Sequence, residues 1–92
     1  MEHSLKPLSE NDLPRCSVGQ AAALVDIRSV GGSYHFHGKQ GWLPPGGPGL
    51  SKAARAYWRH TDRVILSLVR SAYLTVTQQR EGRPVKVELT FP

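Results

Sequence analysis

Apolar and polar positions alternate in two stretches of the chain, and each stretch is interrupted by a turn-forming pair of residues. In the first stretch, residues 24–30 and 33–37 flank Gly31-Gly32. Both central positions of a type I′ turn need a positive φ, which glycine adopts without a steric penalty. The pattern predicts a β-hairpin that turns at the two glycines and pairs Ile27 with Phe36 on its buried face.

The second alternating stretch surrounds Glu81-Gly82, which predicts a second hairpin with a two-residue turn. The predicted pairs are Val76–Val87, Leu74–Leu89 and Ala72–Phe91 on the buried face, and Thr75–Glu88 and Thr77–Lys86 on the other face. Proline has no amide hydrogen to donate, so we expect the strand holding Pro84 to lie at an edge or to begin at Val85.

Between the two hairpins the spacing of apolar residues changes to that of a helix. Ser51 is a favoured N-cap residue, and the pattern predicts one helix over residues 51–71. The apolar side of this predicted helix carries Ala54, Tyr57, Trp58, Thr61, Val64, Ile65, Leu68 and Val69. We therefore expect Tyr57 and Trp58 to belong to the core.

The remaining segments are rich in turn-forming residues. Residues 1–20 predict a mostly irregular N-terminal arm, and the density of proline and glycine in residues 38–50 predicts a long loop anchored on the core by Trp42 and Leu43. The predicted architecture is α+β: a ββαββ domain over residues 21–92, in which one helix covers one face of an antiparallel sheet.

Composition excludes several classes of protein. The length of 92 residues predicts a single domain. The one cysteine, Cys16, excludes an internal disulfide and a metal site built from several thiolates. No apolar run approaches the roughly 18 residues of a membrane span, and the first ten residues do not have the pattern of a signal peptide. We expect a cytoplasmic protein with no membrane partner.

Positive charge is concentrated on one side of the predicted helix. The formal net charge is +5, and the polar face of the helix predicts a basic stripe made of Lys52, Arg55, Arg59, Arg63 and Arg70. Arginine side chains arranged in this way neutralise phosphate oxygens. Arg80, Arg83 and Lys86 lie at the second hairpin and extend the predicted binding surface, and Trp42 adds an aromatic ring from the loop.

These features favour a non-catalytic protein that engages nucleic acid or a nucleoprotein complex, with no cofactor. An inhibitor carried by a phage or plasmid, of the anti-CRISPR type, fits the small size and the charge. An assembly module that binds an acidic protein surface is the alternative. Tyr57 and Trp58 are interpreted as core residues rather than as platforms for bases.

A more remote alternative comes from His35-Phe36-His37, which places two imidazoles on one face of a strand. The motif resembles the metal-binding element of relaxase and replication-initiator nucleases that nick single strands. In that family the histidines accompany a tyrosine nucleophile on a later helix, and Tyr57 is the tyrosine on the predicted helix here. The resemblance implies a metal-dependent nuclease, but the sequence does not place the third ligand that a metal needs.

Overall fold

The computed structural model describes residues 17–91. Its elements are α1 (Val18–Ser29), β1 (Ser33–Phe36), β2 (Trp42–Leu43), α2 (Lys52–Trp58), α3 (Asp62–Arg70), β3 (Leu74–Arg80) and β4 (Arg83–Leu89), with single 3-10 turns at Gly38–Gln40 and Gly47–Gly49. The predicted α+β class is confirmed. The predicted ββαββ order is wrong, because a helix precedes the strands and two helices stand where one was expected.

The first predicted strand is helix α1. Ser17 and Gln20 form a capping box: the Ser17 hydroxyl accepts from the Gln20 amide at 3.1 Å, and the Gln20 side chain accepts from the Ser17 amide at 2.7 Å. Gly31 and Gly32 do have positive φ values of 100° and 96°, but they end this helix. Their amides donate to the carbonyls of Arg28 and Ile27, which is the hydrogen-bond pattern of a Schellman motif.

The predicted N-terminal arm lies mostly outside the described residues. Residues 18–20 belong to α1, so the regular structure begins earlier than the sequence interpretation placed it.

The four strands form one antiparallel sheet in the order β2-β1-β4-β3. The hairpin of β3 and β4 turns at Glu81 and Gly82, both with positive φ. Most of the predicted pairing holds, namely Val76–Val87, Leu74–Leu89 and Thr75–Glu88. An irregularity near residues 77–78 places Gln78 opposite Lys86, where Thr77 was predicted.

Two further details of the second hairpin differ from the prediction. Ala72 lies in the turn after α3 rather than opposite Phe91. Strand β4 is internal and includes Pro84, but β1 pairs only with residues 86–88 of β4. Pro84 therefore lies beyond the ladder with β1, and its missing amide hydrogen breaks no bond there.

The predicted helix over residues 51–71 is interrupted between Trp58 and Asp62. His60 forms two backbone hydrogen bonds with Trp42, of 2.9 and 3.0 Å, which joins the chain to the end of the sheet. Gly41 makes this approach possible: its φ is 79°, and a Cβ there would lie 2.9 Å from the carbonyl oxygen of His60. The chain then restarts as α3, with the Thr61 hydroxyl accepting from the Val64 amide.

Helices α1 and α3 pack on one face of the sheet. The buried cluster between them consists of Ala23, Ile27, Tyr34, Trp42, Ile65, Leu68, Leu74 and Val87. Trp42 belongs to this cluster, whereas Leu43 is fully buried but lies outside it, so the predicted anchoring on the core holds for Trp42. These two residues form β2, so the predicted loop over residues 38–50 contains a short strand. Within the described residues no helix has the length and apolar character needed to cross a membrane.

Candidate nucleic-acid interface

The break between α2 and α3 divides the predicted basic stripe. Lys52 is exposed on α2, and Arg59 is exposed in the segment that follows this helix. Arg55 has a structural role, because its guanidinium donates to the carbonyl oxygens of Leu50 at 2.6 Å and Pro48 at 3.3 Å. The predicted stripe is therefore not a single helical face.

Arg63 and Arg70 remain together on α3. Both are exposed and line an open groove of about 730 Å³ between α3 and the start of α1. The remaining lining is mostly polar and consists of Ser17, Gln20, Thr61, Val64 and Ser67. A hydrogen bond of 2.7 Å from the Gln20 amide nitrogen to the Ser67 hydroxyl ties the two helices together beneath these arginines.

A second hollow, of about 330 Å³, begins where the first groove ends. The two share Thr61, and the second contains the cations of Lys39 and Arg59 together with Phe36 and Gly38. The stem of the Arg59 side chain lies close to the loop here, since a Cβ on Gly41 would be 3.3 Å from its Cγ.

A third hollow, of about 410 Å³, shares Phe36 and Gly38 with the second. It brings in Arg80 and Arg83 from the β3–β4 hairpin. The Arg83 guanidinium lies over the Phe36 ring, 3.7 Å from its centroid, and donates a hydrogen bond to the Asp62 carboxylate. Arg83 is therefore fixed in place, and its charge is partly balanced.

The three adjoining hollows define a surface that we name the basic track. Its six cations are Arg63, Arg70, Lys39, Arg59, Arg80 and Arg83. Two acids lie along it, Asp62 and Glu81, and Asp62 already accepts hydrogen bonds from Arg83 and from the indole of Trp42. The lining is thus strongly positive, and its cations come from three separate parts of the chain, residues 39, 59–70 and 80–83.

Two residues of the predicted binding surface, Trp42 and Lys86, do not belong to the basic track. Trp42 is fully buried, and its indole N–H donates to Asp62 at 2.9 Å, so the ring has no surface to offer a ligand. Lys86 lies 3.5 Å from Glu88 on the face of the sheet turned away from the helices, and it lines none of the three hollows. The sequence pattern did not predict Lys39 as a binding residue, because a single cation in a loop has no periodic signal.

The two histidines of the His-Phe-His motif do lie near each other, with ring centroids 6.5 Å apart. Burial lowers the pKa of His35, and the positive charges of Lys86 and His37 lower it further, whereas Glu88 acts in the opposite direction. Within residues 17–91 no group of three potential metal ligands forms. Nothing in this geometry adds to the resemblance to metal-dependent nucleases.

A hydrogen-bonded joint fixes the break between α2 and α3. The Asp26 carboxylate lies 2.7 Å from the His60 ring, and the Tyr34 hydroxyl donates to the Trp58 carbonyl at 2.7 Å. Burial raises the pKa of Tyr34, and the negative charge of Asp26 adds to this effect. A phenol that stays protonated keeps its donor, so these contacts fix the backbone on both sides of Arg59.

Comparison with known proteins found no family model, no curated protein and no solved structure that matches this chain. The basic track and the side chains beside it are therefore the features that bear on function.

Proposed function

We propose that this chain is a non-catalytic nucleic-acid-binding protein that holds a phosphate backbone along the basic track. The observation that supports the proposal is the adjacency of three hollows whose linings contain six cations and two acids. A run of cations beside open surface favours a long anionic chain over a compact small ligand.

The chemistry of the side chains supports a phosphate ligand. Five of the six cations are arginines, whose planar guanidinium groups donate two parallel hydrogen bonds to phosphate oxygens. Each phosphate neutralised in this way releases condensed counterions, so the affinity falls as salt rises. Because Arg83 is engaged with Asp62, we expect the remaining cations to neutralise up to about five phosphates.

The test is fluorescence anisotropy with labelled single-stranded RNA, single-stranded DNA and duplex DNA at several salt concentrations. We expect log Kd to depend linearly on log salt for at least one of these ligands. Arg63→Ala removes an exposed cation on the track, so it reduces the salt slope by about 0.7 to 0.9. Arg59→Ala acts in the same direction.

Lys52→Ala is the matched control. It removes the same charge from an exposed position in a helix, but Lys52 does not line the basic track. We expect Lys52→Ala to leave the slope unchanged. Equal effects of Lys52→Ala and Arg63→Ala would assign binding to net charge and overturn the track. No binding to any of the three ligands at 50 mM salt would overturn the proposal itself.

A further inference from the structure

Tyr57 lies on the surface rather than in the core where the helical pattern placed it. It is 73% exposed, whereas Tyr34 and Trp42 are fully buried and Trp58 is half-buried. Among residues 17–91 the other exposed aromatic ring is Phe91, at the end of the described chain. The Tyr57 ring therefore presents an aromatic surface to solvent that a ligand can contact.

The Tyr57 ring is held by its neighbour. It packs edge-to-face with Trp58, with ring centroids 4.9 Å apart and planes at 84°. The backbone of Trp58 is fixed in turn by the hydrogen bond from the Tyr34 hydroxyl. The ring is thus positioned before any ligand binds, so little side-chain entropy is lost when something stacks on it.

Tyr57 lines none of the three hollows, but it is close in the chain to Arg59 of the basic track. Arg59 is the C-cap of α2 and follows Tyr57 by two residues, so their Cα atoms are at most about 7.6 Å apart. A single strand whose phosphate is bound by Arg59 can therefore bring a base of the same strand to the Tyr57 ring. The pairing of a cation with an open aromatic face is what single-strand binding proteins use to hold a phosphate and its base together.

We propose that Tyr57 is a stacking platform for an unpaired base, which makes single-stranded nucleic acid the ligand class of this protein. The inference rests on the proposed function, because the phosphates of the same strand must lie along the basic track. Bases inside a duplex are covered on both faces by their neighbours, so only an unpaired base offers its face to the ring.

The experiment compares Tyr57→Leu with Tyr57→Phe in anisotropy titrations of single-stranded RNA and DNA. Leucine keeps an apolar side chain but removes the aromatic face, whereas phenylalanine keeps the face and loses only the hydroxyl. We expect Tyr57→Leu to weaken binding roughly tenfold to hundredfold and Tyr57→Phe to bind within about twofold of the wild type. The salt slope should not change in either variant, because the phosphate contacts remain.

A second arm uses an oligonucleotide without bases as the probe. The wild-type protein should lose affinity for it by a factor similar to that caused by Tyr57→Leu, and the Leu variant should bind both strands equally. Val25→Ala is the control for loss of exposed apolar surface, because Val25 is 63% exposed on α1 and should not affect binding.

The outcomes separate this inference from the function on which it depends. If the wild type shows salt-dependent binding but Tyr57→Leu binds as tightly as Tyr57→Phe, the stacking platform is overturned. The basic track is then unaffected. Equal affinity for duplex and single strands also overturns it. Absence of salt-dependent binding in the wild type overturns the proposed function instead.

Discussion

Helices α2 and α3 follow each other in the chain but are attached to the molecule in different ways. Helix α3 buries Ile65 and Leu68 in the core, whereas α2 has no buried residue. Polar contacts hold α2 instead: Ser51 caps its start, Arg55 binds the preceding loop, and the Trp58 carbonyl accepts from the Tyr34 hydroxyl.

The difference shows how one amphipathic sequence pattern can serve two purposes. Hydrophobic burial is proportional to the apolar area removed from water, so α3 contributes directly to global stability. Helix α2 contributes little burial, and it can open locally at a lower free energy than the core. Its exposed ring and its place beside Arg59 suit it to contact a ligand.

The largest expected effect comes from truncating the buried face of α3. Leu68→Ala removes a fully buried side chain, and we expect it to lower the free energy of unfolding by about 2 to 5 kcal/mol. Tyr57→Ala in α2 loses the edge-to-face contact with Trp58 and should lower it by at most about 1.5 kcal/mol. Urea denaturation followed by tryptophan fluorescence measures both. A comparable loss from the two variants would contradict the difference between the helices.

A smaller effect is expected from removing one polar contact of each helix, made by Asp62 in α3 and by Arg55 in α2. Asp62→Ala leaves the buried indole N–H of Trp42 without its acceptor, so we expect a loss of about 1 to 3 kcal/mol in the same assay. Arg55→Ala also removes two hydrogen bonds, but these lie nearer the surface of α2. If Arg55→Ala proves the more costly change, polar contacts around α2 matter more than those around α3.

The smallest effect is expected where the helices end. Helix α3 ends in the Schellman pattern with Ala72 at a φ of 67°, a left-handed conformation that costs energy for any residue with a Cβ. Ala72→Gly should raise the melting temperature, with a gain in stability of about 0.5 to 1 kcal/mol. Helix α2 ends instead in extended backbone at Arg59, so Arg59→Gly should give no gain. A lower melting temperature for Ala72→Gly would show that the strain is offset by packing.

The β3–β4 hairpin was predictable because two local signals agree. Alternation selects the buried face, and Glu81-Gly82 sets the turn, so three predicted pairs are found in the structure. The irregularity near residues 77–78 has no such signal. In helix α1 the local signals disagree. Residues 24–30 alternate as a strand would, whereas the capping box of Ser17 and Gln20 indicates the start of a helix.

The site was less predictable than the hairpin. The helical projection that gave the basic stripe assumes an unbroken helix, and the break arises from the pairing of His60 with Trp42, which are distant in the sequence. Nothing local to residues 51–71 reveals that contact. The cations were thus identified by residue type, but their grouping with Lys39 depends on tertiary structure.

The edges of the sheet have a consequence for how this protein behaves at high concentration. Strand β2 at one edge has only two residues and is followed by Pro44, and β3 at the other edge carries the irregularity and ends in Arg80. Short, irregular and charged edge strands are poor templates for adding a strand from another molecule. Crowded copies of this chain should therefore resist fibril formation, even though the sheet is not closed into a barrel.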